Sequence, residues 1–390
     1  MKELNIGLFG FGCVGQGLHK VLSESKGIKA NIKKICIKDF NKKRSIDNSL
    51  FTDDKDMLLN DPDINVIVEL INDPFDAFDI VKKAITSGKA VVTANKKMLL
   101  DNIEEIIWLQ NEYKIPFLYE GACCASIPII RNLEEYYDND LLTSVGGIFN
   151  GSTNYILSKQ QNEDINFEDA LTEAQKNGFA ELDPSLDISG ADAKYKLALV
   201  ILHSFGVLIN PENILTYGID QLSEFDIKYA KEKNSKIRFL ASCTRNGDTI
   251  QANCMSAFVS EGDVLFNTEN EYNAVILESA FSEQQLMIGK GAGDTPTGSA
   301  VLSDISALAY DYKYEYKKVK QNGNLYQDDN FLMKIYVSFG NDLRPDISSF
   351  ESIEEQYYGE ERCYIIGKIR QKDLKESSWS RYDGLSIIRY

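Results

Sequence analysis

The run G-F-G-C-V-G at residues 10–15 constrains this chain more than any other stretch. A short apolar run, E-L-N-I-G-L-F-G over 3–10, precedes it, and a helical pattern reaching about Ser25 follows. Strand, G-x-G-x-x-G and helix in that order make a dinucleotide fingerprint. Glycine permits the tight turn and the close approach of a pyrophosphate, and the helix N-terminus offers N–H groups and a positive dipole end. Gly10, Phe11, Gly12, Cys13, Val14 and Gly15 are therefore candidate cofactor-binding residues, for NAD or NADP.

The segments that follow alternate apolar runs with helical patterns, as a doubly wound parallel sheet requires. A strand is expected over 31–38. Asp39 at its end suits the ribose of NAD, whereas Lys38, Lys42, Lys43 and Arg44 around it suit the 2′-phosphate of NADP. Both readings stay open. The run I-N-V-I-V-E-L-I (64–71) ends at Asn72 and Asp73, on the sheet edge where ligands bind in such folds. A helix over about 75–87 stops at Gly88, and the strand A-V-V-T-A (90–94) closes with Asn95, Lys96 and Lys97. Lys96 then faces the cofactor crevice. A helix (98–113) and a strand (116–119) precede E-G-A-C-C-A-S-I-P (120–128). Small residues in a row let backbone carbonyls converge, and Glu120 beside them suits a hard cation. A tight turn into a helix over 127–137 is the competing reading. A second glycine-rich loop (289–297) contains Gly293 and feeds a helix over 299–309, expected to return to the nucleotide domain.

Proton chemistry points to residues 178–206. A loop carrying Glu181, Asp183 and Asp187 enters a helix that is apolar from Leu197 to Leu202. Asp192 and Lys196 lie one turn apart on one face of its start. A cation at the mouth of an apolar helix is costly unless paired, and burial against a carboxylate tunes a lysine to move protons. Only two histidines exist, His19 and His203, and neither sits in a triad-like context. The seven cysteines form no C-x-x-C pair, which argues against a structural zinc site and fits reduced thiols in a cytoplasm. Net charge is −17, against nucleic acid or an anionic membrane as partner. No apolar run approaches the roughly 20 residues of a membrane span.

The expected architecture is α/β: a Rossmann-type doubly wound parallel sheet (1–140 plus 290–318), an α+β substrate and dimerisation domain (141–289) and a small C-terminal module (319–390). Strand patterns over 236–280, with a hairpin signal at Asn246-Gly247, suggest an open sheet and a homodimer. N-G-S-T-N (150–154) reads as a helix N-cap. The C-terminal module reads as a polar linker (321–330), a strand (331–339), a helix (348–358) and a strand (362–370).

Several blocks in order carry a resemblance. They are G-F-G-C-V-G (10–15), V-T-A-N-K-K (92–97), Y-E-G-A-C-C-A-S-I-P (119–128), G-I-F-N-G-S-T-N-Y-I-L (147–157), G-F-A-E-L-D-P-S-L-D-I-S-G-A-D-A-K-Y-K-L (178–197) and G-A-G-D-T-P-T-G-S-A-V-L-S-D-I (291–305). Over roughly 3–315 the chain resembles the homoserine dehydrogenases. The resemblance implies NAD(P)H-dependent reduction of L-aspartate-4-semialdehyde to L-homoserine, a step of threonine, methionine and isoleucine biosynthesis. It implies Lys196 as proton donor and Lys96 as a second catalytic or binding lysine beside the nicotinamide. Glu181 would bind the substrate ammonium, with Asp187 and Asp192 near it. Glu120, Cys123, Ala125 and Ile127 would match a monovalent cation site for sodium or potassium, the last three through backbone oxygens. Phe179 stands where the family usually has Tyr, Cys123, Cys124 and Ser126 where Val, Ala and Gly are commoner, and Asn72-Asp73 where a glycine-rich turn is often seen. Residues 319–390 are too short for a complete ACT domain and read as a degenerate or truncated one. The alternatives are another NAD(P)-dependent amino-acid or semialdehyde dehydrogenase, or a non-catalytic NAD(P)-binding sensor. A sensor would not need Glu181, Asp192, Lys196 and Lys96 together.

Overall fold

In the computed structural model, which describes residues 3–44, 46–139, 141–321 and 325–390, the chain divides into two compact units. One comprises Met1–Asp138 and Ala292–Lys317, the other Asn139–Gly291 and Lys318–Tyr390.

The first unit is built on strands β1 (Leu4–Phe9), β2 (Ala30–Cys36), β3 (Phe51–Thr52), β4 (Val66–Glu69), β5 (Ala90–Thr93) and β6 (Phe117–Leu118). They form one parallel sheet in the order β3-β2-β1-β4-β5-β6. The chain reverses direction across the sheet between β1 and β4, the switch point at which such folds hold a ligand. Every residue of β4 is buried, Glu69 at its end included, which explains the near-continuous apolar run. The expected strands over 31–38 and 64–71 are shorter than their apolar runs, because the residues past Cys36 and Glu69 turn off the sheet into loops. The helix Asp294–Leu308 returns to this unit and lies against the helix Cys13–Glu24 at two glycines. A Cβ at Gly17 would stand 2.0 Å from the Asp294 carbonyl oxygen, and one at Gly298 would stand 2.5 Å from Leu18 N.

The second unit is a mixed sheet. Its strands are β7 (Leu142–Ile148), β8 (Leu215–Tyr217), β9 (Ser235–Asn246), β10 (Thr249–Ser260), β11 (Tyr272–Ser279), β12 (Glu283–Lys290), β13 (Tyr326–Gln327), β14 (Leu332–Gly340), β15 (Ser352–Tyr358), β16 (Arg362–Arg370) and β17 (Ser386–Arg389). The order is β12-β11-β7-β9-β10-β17-β14-β16-β15, with β8 and β13 also paired to β10. The β9–β10 hairpin turns at Asn246-Gly247, where Gly247 takes φ +60°, so that expectation holds. The helix Ala191–Phe205 is buried without a break from Lys196 to Phe205. It ends at Gly206 (φ +70°), where a Cβ would overlap the Lys318 backbone at 2.3 Å.

Residues 319–390, expected as a separate small module, instead share this sheet. Strands β14 to β17 are antiparallel in the order β17-β14-β16-β15, and β17 joins β10 at Arg389 and Ala257. One apolar cluster joins Leu215 and Met255 to Ile335, Val337, Ile365 and Trp379, so the two segments bury a common core. The helix expected over 348–358 is overturned. Only a 3-10 turn, Ile347–Ser349, precedes edge strand β15, because pairing with β16 satisfies a backbone whose helical periodicity was weak. Within the expected polar linker, residues 322–324 lie outside the described residues. Among the described residues, no helix is long and apolar enough to cross a membrane, and no disulfide joins the cysteines.

Candidate functional site

In the second unit the chemistry gathers at the start of the helix Ala191–Phe205. Gly190 begins it with φ +82°, and a Cβ there would press on the Phe239 ring at 2.5 Å. One turn in, Lys196 is 7% exposed. Its Nζ donates to Asp192 Oδ2 at 2.6 Å and to the Phe149 carbonyl oxygen at 2.8 Å. A desolvated ammonium held by one carboxylate and one carbonyl is neutralised and aimed. Asn150 completes the group. Its Nδ2 donates to Asp192 Oδ2 at 2.9 Å and to Asp187 Oδ1 at 2.7 Å, and its Oδ1 accepts from Thr153 N at 2.8 Å, capping the helix Gly151–Glu163. Asn273 Nδ2 donates to the same Phe149 oxygen at 3.1 Å.

Burial is the main cause that raises the Asp187 carboxyl above its ordinary range, and the Asp192 charge adds to it. The sequence-predicted Lys196, Asp192 and Asp187 are thus brought together. Glu181 is exposed on the preceding loop and is not hydrogen-bonded to this group. Phe179 packs on Tyr155 with ring centroids 4.9 Å apart, and its carbonyl accepts from Ser152 Oγ at 2.6 Å. Asn150, Asn273 and the Phe149 carbonyl were not singled out as site groups. The N-cap signal at Asn150 was legible, but not that its amide also spans two carboxylates.

In the first unit, Gly10 takes φ +90°, and a Cβ there would stand 2.6 Å from the Leu70 carbonyl oxygen. The helix Cys13–Glu24 begins after Gly12 with no side-chain cap, and space is open where a Gly12 Cβ would stand. These features fit a dinucleotide pyrophosphate. At the end of β2, the Asp39 carboxylate is turned onto Asn41 N at 2.8 Å. Arg44 donates to the carbonyls of Asp39 (2.8 Å) and Lys42 (3.0 Å), with its guanidinium 5.1 Å from the Phe51 ring centroid. Phe51 in turn meets Phe11 of the glycine loop at 5.5 Å, edge to face. Lys38 is drawn to Asp76 at 2.7 Å. Asn72 is exposed after β4, and Asp73 beside it caps the helix Pro74–Thr86. Lys96 opens the helix Lys96–Tyr113, which Asn95 caps. Gly293 precedes the helix Asp294–Leu308 with φ +118°.

The loop after β6 is built differently from a side-chain metal site. The buried Glu120 carboxylate accepts from Ile130 N and Arg131 N, both at 2.9 Å, at the start of the helix Ile129–Glu135. Burial pushes this carboxyl up to about 7. Its own N–H donates to Asp304 Oδ2 at 2.7 Å. Cys124 and Ala125 both take left-handed backbone (φ 42° and 45°), and the Ile127 carbonyl accepts from Ile129 N at 2.9 Å. Two adjacent non-glycine residues in that region carry strain of order 1–2 kcal/mol each. Among the described residues, no group of three or more His, Cys, Asp or Glu side chains could hold a metal ion.

Comparison with known proteins shows the family. The family model for the homoserine dehydrogenase NAD binding domain matches residues 10–120, and that for homoserine dehydrogenase matches 128–306. Homoserine dehydrogenase of Bacillus subtilis is 30% identical, over 96% of this chain and 89% of its own length. The chain belongs to the homoserine dehydrogenase family. The Neisseria gonorrhoeae member is 36% identical over 79% of this chain and 73% of its own. A crystal structure of a homoserine dehydrogenase from Thiobacillus denitrificans superposes with TM-score 0.88 at 27% identity, covering 100% of this chain and 98% of that one. A hyperthermophilic archaeal homoserine dehydrogenase mutant, solved in complex with NADPH, superposes with TM-score 0.68 at 25% identity, covering 80% of this chain and 100% of that one.

Replacing Asn150 by Ser keeps a capping oxygen and removes the amide between Asp187 and Asp192. Turnover is expected to fall at least about tenfold while the melting temperature stays within a few degrees. Asn150→Ala, which also removes the cap, should cost about a further 1 kcal/mol of stability. Calorimetry beside steady-state kinetics separates the two effects.

Proposed function

We propose that Lys196 is the proton donor of the dehydrogenase reaction and that Asp192 holds it charged and in place. As a homoserine dehydrogenase, the chain is an NAD(P)-dependent oxidoreductase that interconverts L-aspartate-4-semialdehyde and L-homoserine. Reduced nicotinamide supplies the hydride to the aldehyde carbon. Negative charge then develops on the carbonyl oxygen, and a buried ammonium both stabilises and protonates it. The observation that carries this reading is the Lys196–Asp192 pair at 2.6 Å, buried at the start of a helix that is apolar from Leu197 to Leu202. Asp187 and Glu181 are the carboxylates assigned to the substrate ammonium, and Lys96 is assigned to the nicotinamide side with Asn72 and Gly293.

For the coenzyme we propose a choice made at the end of β2. The Asp39 carboxylate is occupied by its own turn, while Arg44 is held beside the glycine loop by Phe51. That arrangement favours NADP(H), whose 2′-phosphate a guanidinium pairs with. For the loop 120–127 we propose a monovalent cation held by the backbone oxygens of Cys123, Ala125 and Ile127. Glu120 then acts mainly by holding the loop to the helix behind it. A homodimer is supported by the edge strand β12, whose Ile288 is 52% exposed. A monomeric mass by light scattering at working concentration would overturn the dimer.

The deciding experiment is steady-state turnover of L-homoserine with NADP⁺ or NAD⁺, in sodium and in a large organic cation. Lys196→Ala should lower kcat by about 10²–10⁴-fold with NADPH affinity unchanged; wild-type turnover in that variant would remove Lys196 from the mechanism. Arg44→Ala should raise the NADP⁺ KM by about 10-fold or more and leave NAD⁺ alone. Equal effects on both coenzymes would refute the Arg44 assignment. Turnover indifferent to sodium would count against the cation.

A further inference from the structure

Glu69 is a buried carboxylate that the proposed chemistry does not use. It ends β4 in the middle of the parallel sheet with no exposed surface. Its Oε1 accepts from Ile71 N at 2.7 Å and its Oε2 from Thr93 Oγ1 at 2.6 Å. The bonds continue in a ring. Thr93 Oγ1 accepts from Asn95 N at 3.0 Å, and Asn95 Nδ2 donates to the Ile71 carbonyl at 3.0 Å. Asn95 Oδ1 then accepts from Met98 N at 3.0 Å and starts the helix that Lys96 opens. The ring therefore joins the loop after β4 to the loop after β5. It also lies beside the glycine turn, since Leu70 N donates to the Phe9 carbonyl at 2.8 Å and the Leu70 carbonyl abuts Gly10.

We propose that Glu69 is a positioning residue of the dehydrogenase reaction, its carboxylate tying the loop that carries Asn72 to the loop that carries Lys96. The inference rests on the assignment of Asn72 and Lys96 to the dinucleotide. A buried carboxylate is expensive, and replacing it with an apolar side chain would suit β4 better as a strand. What it alone supplies is two acceptors facing two donors. An ionised carboxylate accepts from both Ile71 N–H and Thr93 O–H, which leaves the Thr93 lone pair to receive Asn95 N–H. Protonation at Oε2 turns that acceptor into a donor, so the Thr93 O–H loses its acceptor and must turn away from the ring.

Burial pushes the Glu69 carboxyl up to about 7, against the lowering effect of its two hydrogen bonds. No charge adds to these influences. Strands β1 and β5 bring no ionisable side chain to it. On the helix Pro74–Thr86, Asp76, Asp79, Lys82 and Lys83 form surface ion pairs. Asp73 caps that helix, Lys96 begins the next, and Asp304 is bonded to Glu120 N. The ring is complete above about pH 7 and loosens below it.

Glu69→Gln tests the inference, because its amide nitrogen can only donate and so imitates the protonated state at every pH. NADPH binding, followed by nucleotide fluorescence from pH 6.5 to 8.5, should weaken about 5- to 10-fold at pH 8 in this variant and lose its pH dependence. Wild-type binding should weaken as pH falls through about 7. Thr93→Val should weaken binding similarly, and Thr93→Ser should restore it by returning the hydroxyl. Melting gives a second reading. A carboxyl raised in the folded state binds its proton more tightly there than in the unfolded chain. Wild type should therefore lose stability relative to Glu69→Gln between about pH 4.5 and 7, with a constant difference above. A Glu69→Gln protein with wild-type NADPH affinity and pH profile overturns the proposal, and so does a Thr93→Ser protein that binds no better than Thr93→Val. Asn72→Ala and Lys96→Ala provide the control. If both bind NADPH like wild type, the assignment of those loops fails and the proposal fails with it; if they bind weakly while Glu69→Gln does not, only the Glu69 role is lost.

Discussion

The pairing of Lys196 with Asp192 is the constraint to which the second unit is built. A lysine ammonium 7% exposed inside an apolar helix cannot be left uncompensated. The compensation reaches outward in order. Asp192 pairs with the charge at 2.6 Å, the Phe149 carbonyl accepts a second N–H hydrogen bond at 2.8 Å, and Asn150 and Asn273 hold those two acceptors. Phe149 and Asn150 sit where β7 passes into the helix Gly151–Glu163, so the end of one strand and the starts of two helices meet on one ammonium. Such a group is held by bonds that are lost together, which is how a flexible side chain becomes a fixed one.

The first unit solves a different problem, which is to bring backbone close to backbone. Gly10, Gly17 and Gly298 each stand where a methyl group would meet main-chain atoms at 2.6 Å or less. Close approach lets the helix Asp294–Leu308 seat on the helix Cys13–Glu24, and it leaves the turn after β1 without side-chain bulk. The open start of the helix Cys13–Glu24 suits a pyrophosphate met by N–H groups and a helix dipole.

Much of this was legible in the residues. The strand–glycine–helix order predicted the parallel sheet, and the i,i+4 spacing of Asp192 and Lys196 predicted their pairing. The hairpin at Asn246-Gly247 announced itself through turn chemistry. Other features depend on partners distant in the chain. Nothing local to Ser352–Tyr358 distinguishes a strand from a polar helix until β16 lies beside it. Glu120 reads as a metal ligand because its neighbours are small, yet its oxygens meet the N–H groups of a helix ten residues on. Asn273 reaches the Phe149 carbonyl from a position 124 residues away. The degree to which a buried polar group is satisfied is a tertiary quantity, and periodicity does not report it.

The continuity of the second sheet has a consequence for how this chain can change. Strands β14 to β17 extend the sheet past β10, and Lys318 abuts the C-terminal glycine of the helix that carries Lys196. A segment attached by a flexible tether can be lost, exchanged or duplicated without disturbing its host. This one is not so attached, because its removal would strip β10 of its pairing with β13 and β17 and open the cluster around Met255 to water. Residues 318–390 are therefore packed into the unit that carries Lys196, and substitutions within the core they share with β8 and β10 are restrained by that packing.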